Sequence, residues 1–268
     1  MKRKQRLDME MVERGLAESR SRAQALILAG AVLVDGEKAQ KAGLVVDGET
    51  NIELAEQLPY VSRGGLKLEK ALDEFSIDPQ GRVAVDVGAS TGGFTDCLLQ
   101  RGASLVYAVD VGYGQLAWSL RQNPKVVCLE KTNARYLKPE MFPQKPNLAT
   151  VDVSFISLKL VLPPLIQCLL PGWDLVTLIK PQFEAGREQV GKHGVIRDPK
   201  VQLDVLKSLY NFGVEQGCPW QNLTYSPVLG PEGNIEFLAH WAVGGTPLDE
   251  AVLEEVVAGA YRQLKKKE

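Results

Sequence analysis

The chain has 268 residues, enough for one full α/β domain and a small additional one. Its composition is 45% apolar and 24% charged, and a net charge of −2 excludes a uniformly basic nucleic-acid protein. The basic start is not followed by an apolar stretch, so no signal peptide is expected. The longest uncharged run, Leu160 to Trp173, is too short and too broken by Pro163, Pro164 and Pro171 to span a bilayer. Cys97, Cys128, Cys168 and Cys218 lie 31, 40 and 50 residues apart, with no metal-ligand or redox spacing. They read as reduced core residues of a cytoplasmic protein, and no metal site is expected.

Residues 1–60 read as a small separate α+β domain. The first 22 residues hold seven bases (Lys2, Arg3, Lys4, Arg6, Arg14, Arg20, Arg22) against four acids (Asp8, Glu10, Glu13, Glu18). That excess is a footprint for a polyanion, though a solvated helix face shows the same pattern. A short helix from Arg6 ends at Gly15, and a second, capped by Ser19, runs to Gly30. Ala31-Val32-Leu33-Val34 enters a hairpin at Asp35-Gly36, and short strands follow at Val45-Val46 and Asn51 to Leu54.

Pro59-Tyr60-Val61-Ser62-Arg63-Gly64-Gly65 marks a junction, with a helix from Leu66 to Glu74 after it. The remainder, 61–268, alternates apolar strands and helices. Strands are expected near 83–88, 105–111, 125–130, 148–154, 174–180, 222–228 and 235–243. Helices are expected near 92–101, 114–121, 157–170, 199–216 and 247–266. This rhythm predicts a doubly wound, mostly parallel sheet. The last two strands lack a crossover helix and should pair antiparallel.

The first strand of this domain runs into Asp86-Val87-Gly88-Ala89-Ser90-Thr91-Gly92-Gly93-Phe94, and the next ends at Asp110, 22 residues after Gly88. A glycine turn and a distant acid are how such sheets hold an adenosine-containing cofactor. The glycines miss the G-x-G-x-x-G frame that cradles a pyrophosphate, so a cofactor without phosphate, S-adenosylmethionine, fits better. Gly88, Gly92 and Gly93 would allow close backbone approach, Asp86 and Ser90 would sit beside the methionine part, and Asp110 would take the ribose hydroxyls. Asn133 and Ala134 would contact adenine.

Four charges stand at strand ends or by the junction: Lys67, Asp152, Lys180 and Glu236. Charges in apolar strands are costly unless paired, and at the C-terminal rim of an open sheet they would line the binding crevice. Together they resemble the K-D-K-E tetrad of FtsJ-type ribose 2′-O-methyltransferases. The two helices followed by Val34-Asp35-Gly36 resemble the S-four-type RNA-binding module, which implies that Arg6, Arg20 and Arg22 rest on RNA phosphates.

With both resemblances in one chain, the sequence is identified as resembling the TlyA family. The motifs are Arg63-Gly64-Gly65-Leu66-Lys67-Leu68, the Asp86 turn, Asp110-Val111-Gly112-Tyr113-Gly114-Gln115-Leu116 and Thr132-Asn133-Ala134-Arg135. Further along come Asp152-Val153-Ser154-Phe155-Ile156-Ser157, Ile179-Lys180-Pro181-Gln182-Phe183-Glu184 and Gly230-Pro231-Glu232-Gly233-Asn234-Ile235-Glu236. The family implies ribose 2′-O-methylation of ribosomal RNA at cytidine, with ribosomal RNA or ribosomal subunits as partner. It implies Lys67, Asp152, Lys180 and Glu236 as the catalytic set, with Lys180 held between Asp152 and Glu236.

The long segment from Glu184 to Asp198 is read as a crevice loop whose Arg187, Lys192, His193 and Arg197 would grip RNA, unless it is simply a mobile polar loop. Arg63, Arg187 and Lys192 thus join the three N-terminal arginines as candidate RNA contacts. Two alternatives remain. A methyltransferase of other acceptor specificity lacks support, because Asp152-Val153-Ser154-Phe155 stands where amino-nitrogen enzymes carry Asn/Asp-Pro-Pro-Tyr. A membrane-active hemolysin, a label many family members carry, lacks an apolar or pore-like segment.

Overall fold

The computed structural model describes residues 4–28, 31–54, 59–230, 232–244 and 248–264. Lys2 and Arg3 lie outside them, as do the side chains of Arg187 and Lys192. The chain divides into two compact units, Met1–Leu58 and Pro59–Glu268.

The first unit has β1 (Lys4–Arg6), α1 (Leu7–Glu13), α2 (Arg20–Leu28), β2 (Val32–Val34), β3 (Glu37–Lys38), β4 (Val45–Asp47) and β5 (Ile52–Leu54). Sequence pattern reads Arg6 as helical, but it is extended and ends β1, which pairs antiparallel with β4. Three residues with no apolar alternation carry no strand signal; the pairing is a tertiary event. The hairpin at Asp35-Gly36 forms as expected, with both residues at positive φ. Leu7, Met11, Ala23, Ile27, Val32 and Val46 make this unit's core.

The second unit has α3 (Gly64–Phe75), β6 (Val83–Val87), α4 (Gly93–Gln100), β7 (Leu105–Val109), α5 (Trp118–Arg121), β8 (Val126–Leu129) and β9 (Leu148–Val151). There follow α6 (Leu158–Ile166), β10 (Asp174–Ile179), α7 (Pro181–Glu184), α8 (Pro199–Glu215), β11 (Trp220–Tyr225), β12 (Phe237–Ala242) and α9 (Glu250–Leu264). Its seven-stranded sheet has the order β11-β12-β10-β9-β6-β7-β8. The helix expected over 114–121 shrinks to one turn. None of the described helices is long and apolar enough to cross a membrane.

Strand alternation decides which residues face which layer. Val85, Val87, Ala149, Val151, Leu175 and Ile179 pack in one core with residues of α6, α8 and α9. Ala84, Val106, Leu148, Val176, Leu178 and Leu238 pack in the other with residues of α3 and α4. The parallel strands β6, β7, β9 and β10 end at one rim, where the next residues are Gly88, Asp110, Asp152 and Lys180. β12 runs the other way, with Phe237 opposite Ile179, so the residue before it, Glu236, stands at the same rim. Glu236 therefore precedes its strand, where the sequence pattern places it inside one.

Candidate active site

Two cavities open at this rim. The first, about 440 Å³, is lined by Gly88, Ser90, Asp110, Asn133, Ala134, Asp152 and the run Val153 to Ile156, among others. The second, about 240 Å³, is lined by Ser62, Arg63, Lys67, Gly93, Phe94, Lys180 and Glu236, among others. Gly88, Ser90 and Asp152 line both. Two ligand sites with a common wall suit transfer of a group from one ligand to the other.

The common wall depends on Gly88. Its φ is +85°, and a Cβ there would lie 2.2 Å from the carbonyl oxygen of Asp152. Only glycine permits this turn and this approach of the ends of β6 and β9. Asp110 then fastens the turn to β7: Oδ2 accepts the Ser90 N–H at 2.8 Å and Oδ1 the Gly112 N–H at 2.6 Å. A carboxylate has about four lone-pair positions, so both oxygens keep capacity for ligand hydroxyls. Asn133 caps the short turn Ala134–Tyr136 by accepting the Arg135 N–H.

Three residues expected against the cofactor do not line the larger cavity, and one of them, Gly93, lines the smaller alone. Asp86 is fully buried and lines neither cavity. Its oxygens accept the hydroxyls of Thr95 on α4 and Thr150 on β9, at 2.7 and 2.9 Å. The period of two turns it toward the α4 layer, and burial pushes its carboxyl up to about 7. Gly92 also lines neither cavity; a Cβ there would meet Leu120 and Leu116 at 2.3 and 2.9 Å, so it serves packing.

The four charges form two ion pairs. Lys67 Nζ donates to Glu236 Oε2 at 2.5 Å. Lys180 Nζ lies 2.5 Å from Asp152 Oδ1 and donates to Ser154 Oγ at 3.0 Å. The expectation that Lys180 sits between Asp152 and Glu236 is corrected to this extent: Glu236 pairs with Lys67. The reason is that α3 packs beside β12 and delivers Lys67 from its first turn. Glu236 is fully buried, and burial holds its carboxyl above the ordinary range, with Lys67 and Lys180 pulling it down. Among the described residues, its Oε1 accepts no hydrogen bond. Glu236 as a residue lines the smaller cavity, and Gly230 leaves room beside this oxygen.

Arg63 lines the second cavity beside this network. In the first unit, Arg6 and Arg20 both bind the fully buried Asp8, through contacts of 3.0 Å, and Gln24 adds a third donor. These bonds, with that of Arg6 foremost, hold the Asp8 carboxyl well below the usual range. Arg22 is exposed. The segment from Glu184 to Asp198 is pinned rather than free: Asn234 donates to the Gly194 carbonyl and accepts the Ile196 N–H, and Ile196 is buried. Its described side chains line neither cavity.

Sequence reasoning missed Ser62, Gln115, Thr132 and Ser154 as lining residues, and Glu184 and Asn234 as supports. Polar residues in turns carry no signal of what they face.

Residues 60–242 match the FtsJ-like methyltransferase family and residues 5–52 match the S4 domain. YqxC of Bacillus subtilis (strain 168) is 50% identical over 272 residues, spanning 99% of this chain and 97% of that one. The 16S/23S rRNA (cytidine-2′-O)-methyltransferase TlyA of Mycobacterium tuberculosis (strain ATCC 25618 / H37Rv) is 47% identical over 239 residues, 88% of this chain and 89% of that one. A solved structure from Streptococcus thermophilus that carries the hemolysin name has a TM-score of 0.78 at 45% identity, covering 100% of this chain and 99% of its own. A family match over most of the length, on a sheet whose rim already pairs two cavities across one wall, makes this chain an enzyme of the FtsJ-like methyltransferase family, in its TlyA branch.

Proposed function

We propose that this enzyme transfers the methyl group of S-adenosylmethionine to the 2′-hydroxyl of a cytidine in ribosomal RNA. The observation that carries the reading is the pair of cavities sharing Gly88, Ser90 and Asp152, the smaller one lined by Lys67, Lys180 and Glu236. The larger cavity fits the cofactor in volume and donor set, with Asp110 for ribose hydroxyls and Asn133 and Ala134 farther along its wall. The sulfonium supplies a methyl group already activated for attack.

What remains for the protein is alignment and one proton. Lys180 orients the acceptor hydroxyl and, in its neutral form, takes its proton; Asp152 and Ser154 hold the amine in place. Glu236 Oε1 accepts a hydrogen bond from the same hydroxyl, and Lys67 holds Glu236. The TlyA relative is named for cytidine 2′-O-methylation of 16S and 23S rRNA, which supports this acceptor. The S4 domain, with Arg22 exposed on α2, supports RNA as the partner, with Arg6, Arg20, Arg63, Arg187 and Lys192 as further contacts.

The test is mass-spectrometric mapping of 2′-O-methylated nucleotides in ribosomal RNA incubated with pure enzyme and cofactor. A new 2′-O-methylcytidine is expected. A methyl group on a base, or none on any RNA, overturns the assignment.

A further inference from the structure

The run Asp152 to Ile156 lies between β9 and α6, has no helix or strand, and all five residues line the larger cavity. It begins at a backbone bond, Asp152 N–H to the Val87 carbonyl at 2.9 Å. Phe155 within it holds a φ of +64°, a conformation costing about 1–3 kcal/mol for a non-glycine residue. Something must impose that shape.

The partner is the turn after β10. Lys180, Phe183 and Glu184 meet the run in matching chain order. Lys180 contacts Asp152 and Ser154. The Phe183 ring lies against Phe155, with centroids 4.8 Å apart. Glu184 closes the far end: Oε2 accepts the Ser157 hydroxyl at 2.6 Å and Oε1 the Leu158 N–H at 2.8 Å. Both carboxylate oxygens are thus spent on one short stretch of the other loop.

Capping alone does not call for this residue. Ser157 already accepts the Lys159 N–H as the N-cap of α6. Burial also penalises the charged carboxylate and pushes it upward. What Glu184 adds is a second tie, four residues after Lys180, between the turn that carries Lys180 and the run that carries Asp152.

We infer that Glu184 is a positioning residue for methyl transfer: by fixing the end of the Asp152 to Ile156 run, it sets Ser154 and Asp152 against Lys180. This rests on the methyl-transfer reading above. A displacement of about 1 Å in a reacting assembly costs on the order of 100-fold in rate.

The experiment compares wild type, Glu184→Ala, Glu184→Gln, Ser154→Ala and the Glu184→Ala/Ser154→Ala double variant. It measures melting temperature, S-adenosylmethionine affinity by calorimetry, ribosomal RNA affinity by filter binding, and single-turnover transfer of tritiated methyl. Glu184→Ala should leave RNA affinity within about two-fold, weaken cofactor binding several-fold and slow transfer by about 10- to 100-fold. Glu184→Gln should recover most of the rate, since its carbonyl accepts the Leu158 N–H and its amide donates to Ser157. Ser154→Ala should slow the double variant less than it slows wild type, because both changes release the same run.

Additive losses, an unchanged rate in Glu184→Ala, or no recovery in Glu184→Gln would overturn the inference. If Glu184→Ala does not fold, Glu184→Asp, which keeps the charge and shortens the reach, carries the same cycle. Wild type that binds cofactor but methylates no ribosomal RNA would sink the acceptor assignment instead; the cofactor affinities of the variants then still decide whether Glu184 sets the run.

Discussion

Lys67 and Glu236 are 169 residues apart in the chain, and their charged groups are 2.5 Å apart in the fold. One comes from the first turn of a helix at the start of the catalytic unit, the other from the residue before its last strand. The pair is buried on both sides and, among the described residues, leaves Glu236 Oε1 without a hydrogen-bond donor.

Removing Lys67 should therefore destabilise the enzyme in a pH-dependent way. Burial raises the Glu236 carboxyl, and Lys67 opposes it. A carboxyl raised in the folded state contributes stability below its unfolded pKa of about 4.3, and that contribution is lost as pH rises through the folded value. Lys67→Met leaves the ionised form without its hydrogen-bonded cation, with only the weaker pull of Lys180 remaining. Its unfolding free energy should drop by about 3–5 kcal/mol near pH 8 and by less near pH 5, because a raised carboxyl is relieved of its charge as pH falls. Urea titrations at both pH values check this; an equal loss at both would show that the pair is not what is being broken.

Lys180→Ala should abolish chemistry and spare the cofactor. Lys180 lines the smaller cavity and not the larger. Transfer of tritiated methyl to ribosomal RNA should fall by at least about 100-fold, with calorimetric cofactor affinity within a few-fold of wild type. Wild-type turnover would remove Lys180 from the mechanism.

Asp86 should matter for stability and not for cofactor affinity. Burial raises it to about 7, so its contribution is present below an unfolded value of about 3.9 and lost as pH rises through 7. Asp86→Asn carries no charge to desolvate. It should cost about 1–2 kcal/mol near pH 5.5 and less near pH 8.5, and bind S-adenosylmethionine within about two-fold of wild type. A tenfold loss of affinity would return Asp86 to the cofactor's contacts.

The three N-terminal arginines should separate. Arg22→Ala should weaken RNA binding and lower the salt slope by about 0.7–0.9, with stability within about 0.5 kcal/mol of wild type. Arg6→Ala and Arg20→Ala should each also lower the melting temperature, because Asp8 is fully buried and loses a donor. Indistinguishable melting among all three would contradict the Asp8 clamp.

Local pattern carried much of this molecule. The alternating strands and helices announced the parallel sheet, the missing crossover announced the antiparallel ending, and the Gly88 turn with Asp110 announced the rim where the larger cavity opens. Each depends on neighbours within a few residues or on a fixed βαβ spacing, which a linear sequence displays. The N-terminal strand β1 escaped because its three residues form a strand only by pairing with β4.

Three decisions belonged to tertiary structure alone. Strand alternation turned Asp86 away from the crevice its motif adjoins. The antiparallel β12 brought Glu236 to the rim and into the grip of Lys67 rather than Lys180. The turn after β10 met the run after β9 in order, giving Glu184 its two partners. Residue type and spacing say which charges must be compensated when a sheet buries them. Which partner compensates each one is decided where distant elements pack, because only there do the side chains come within reach.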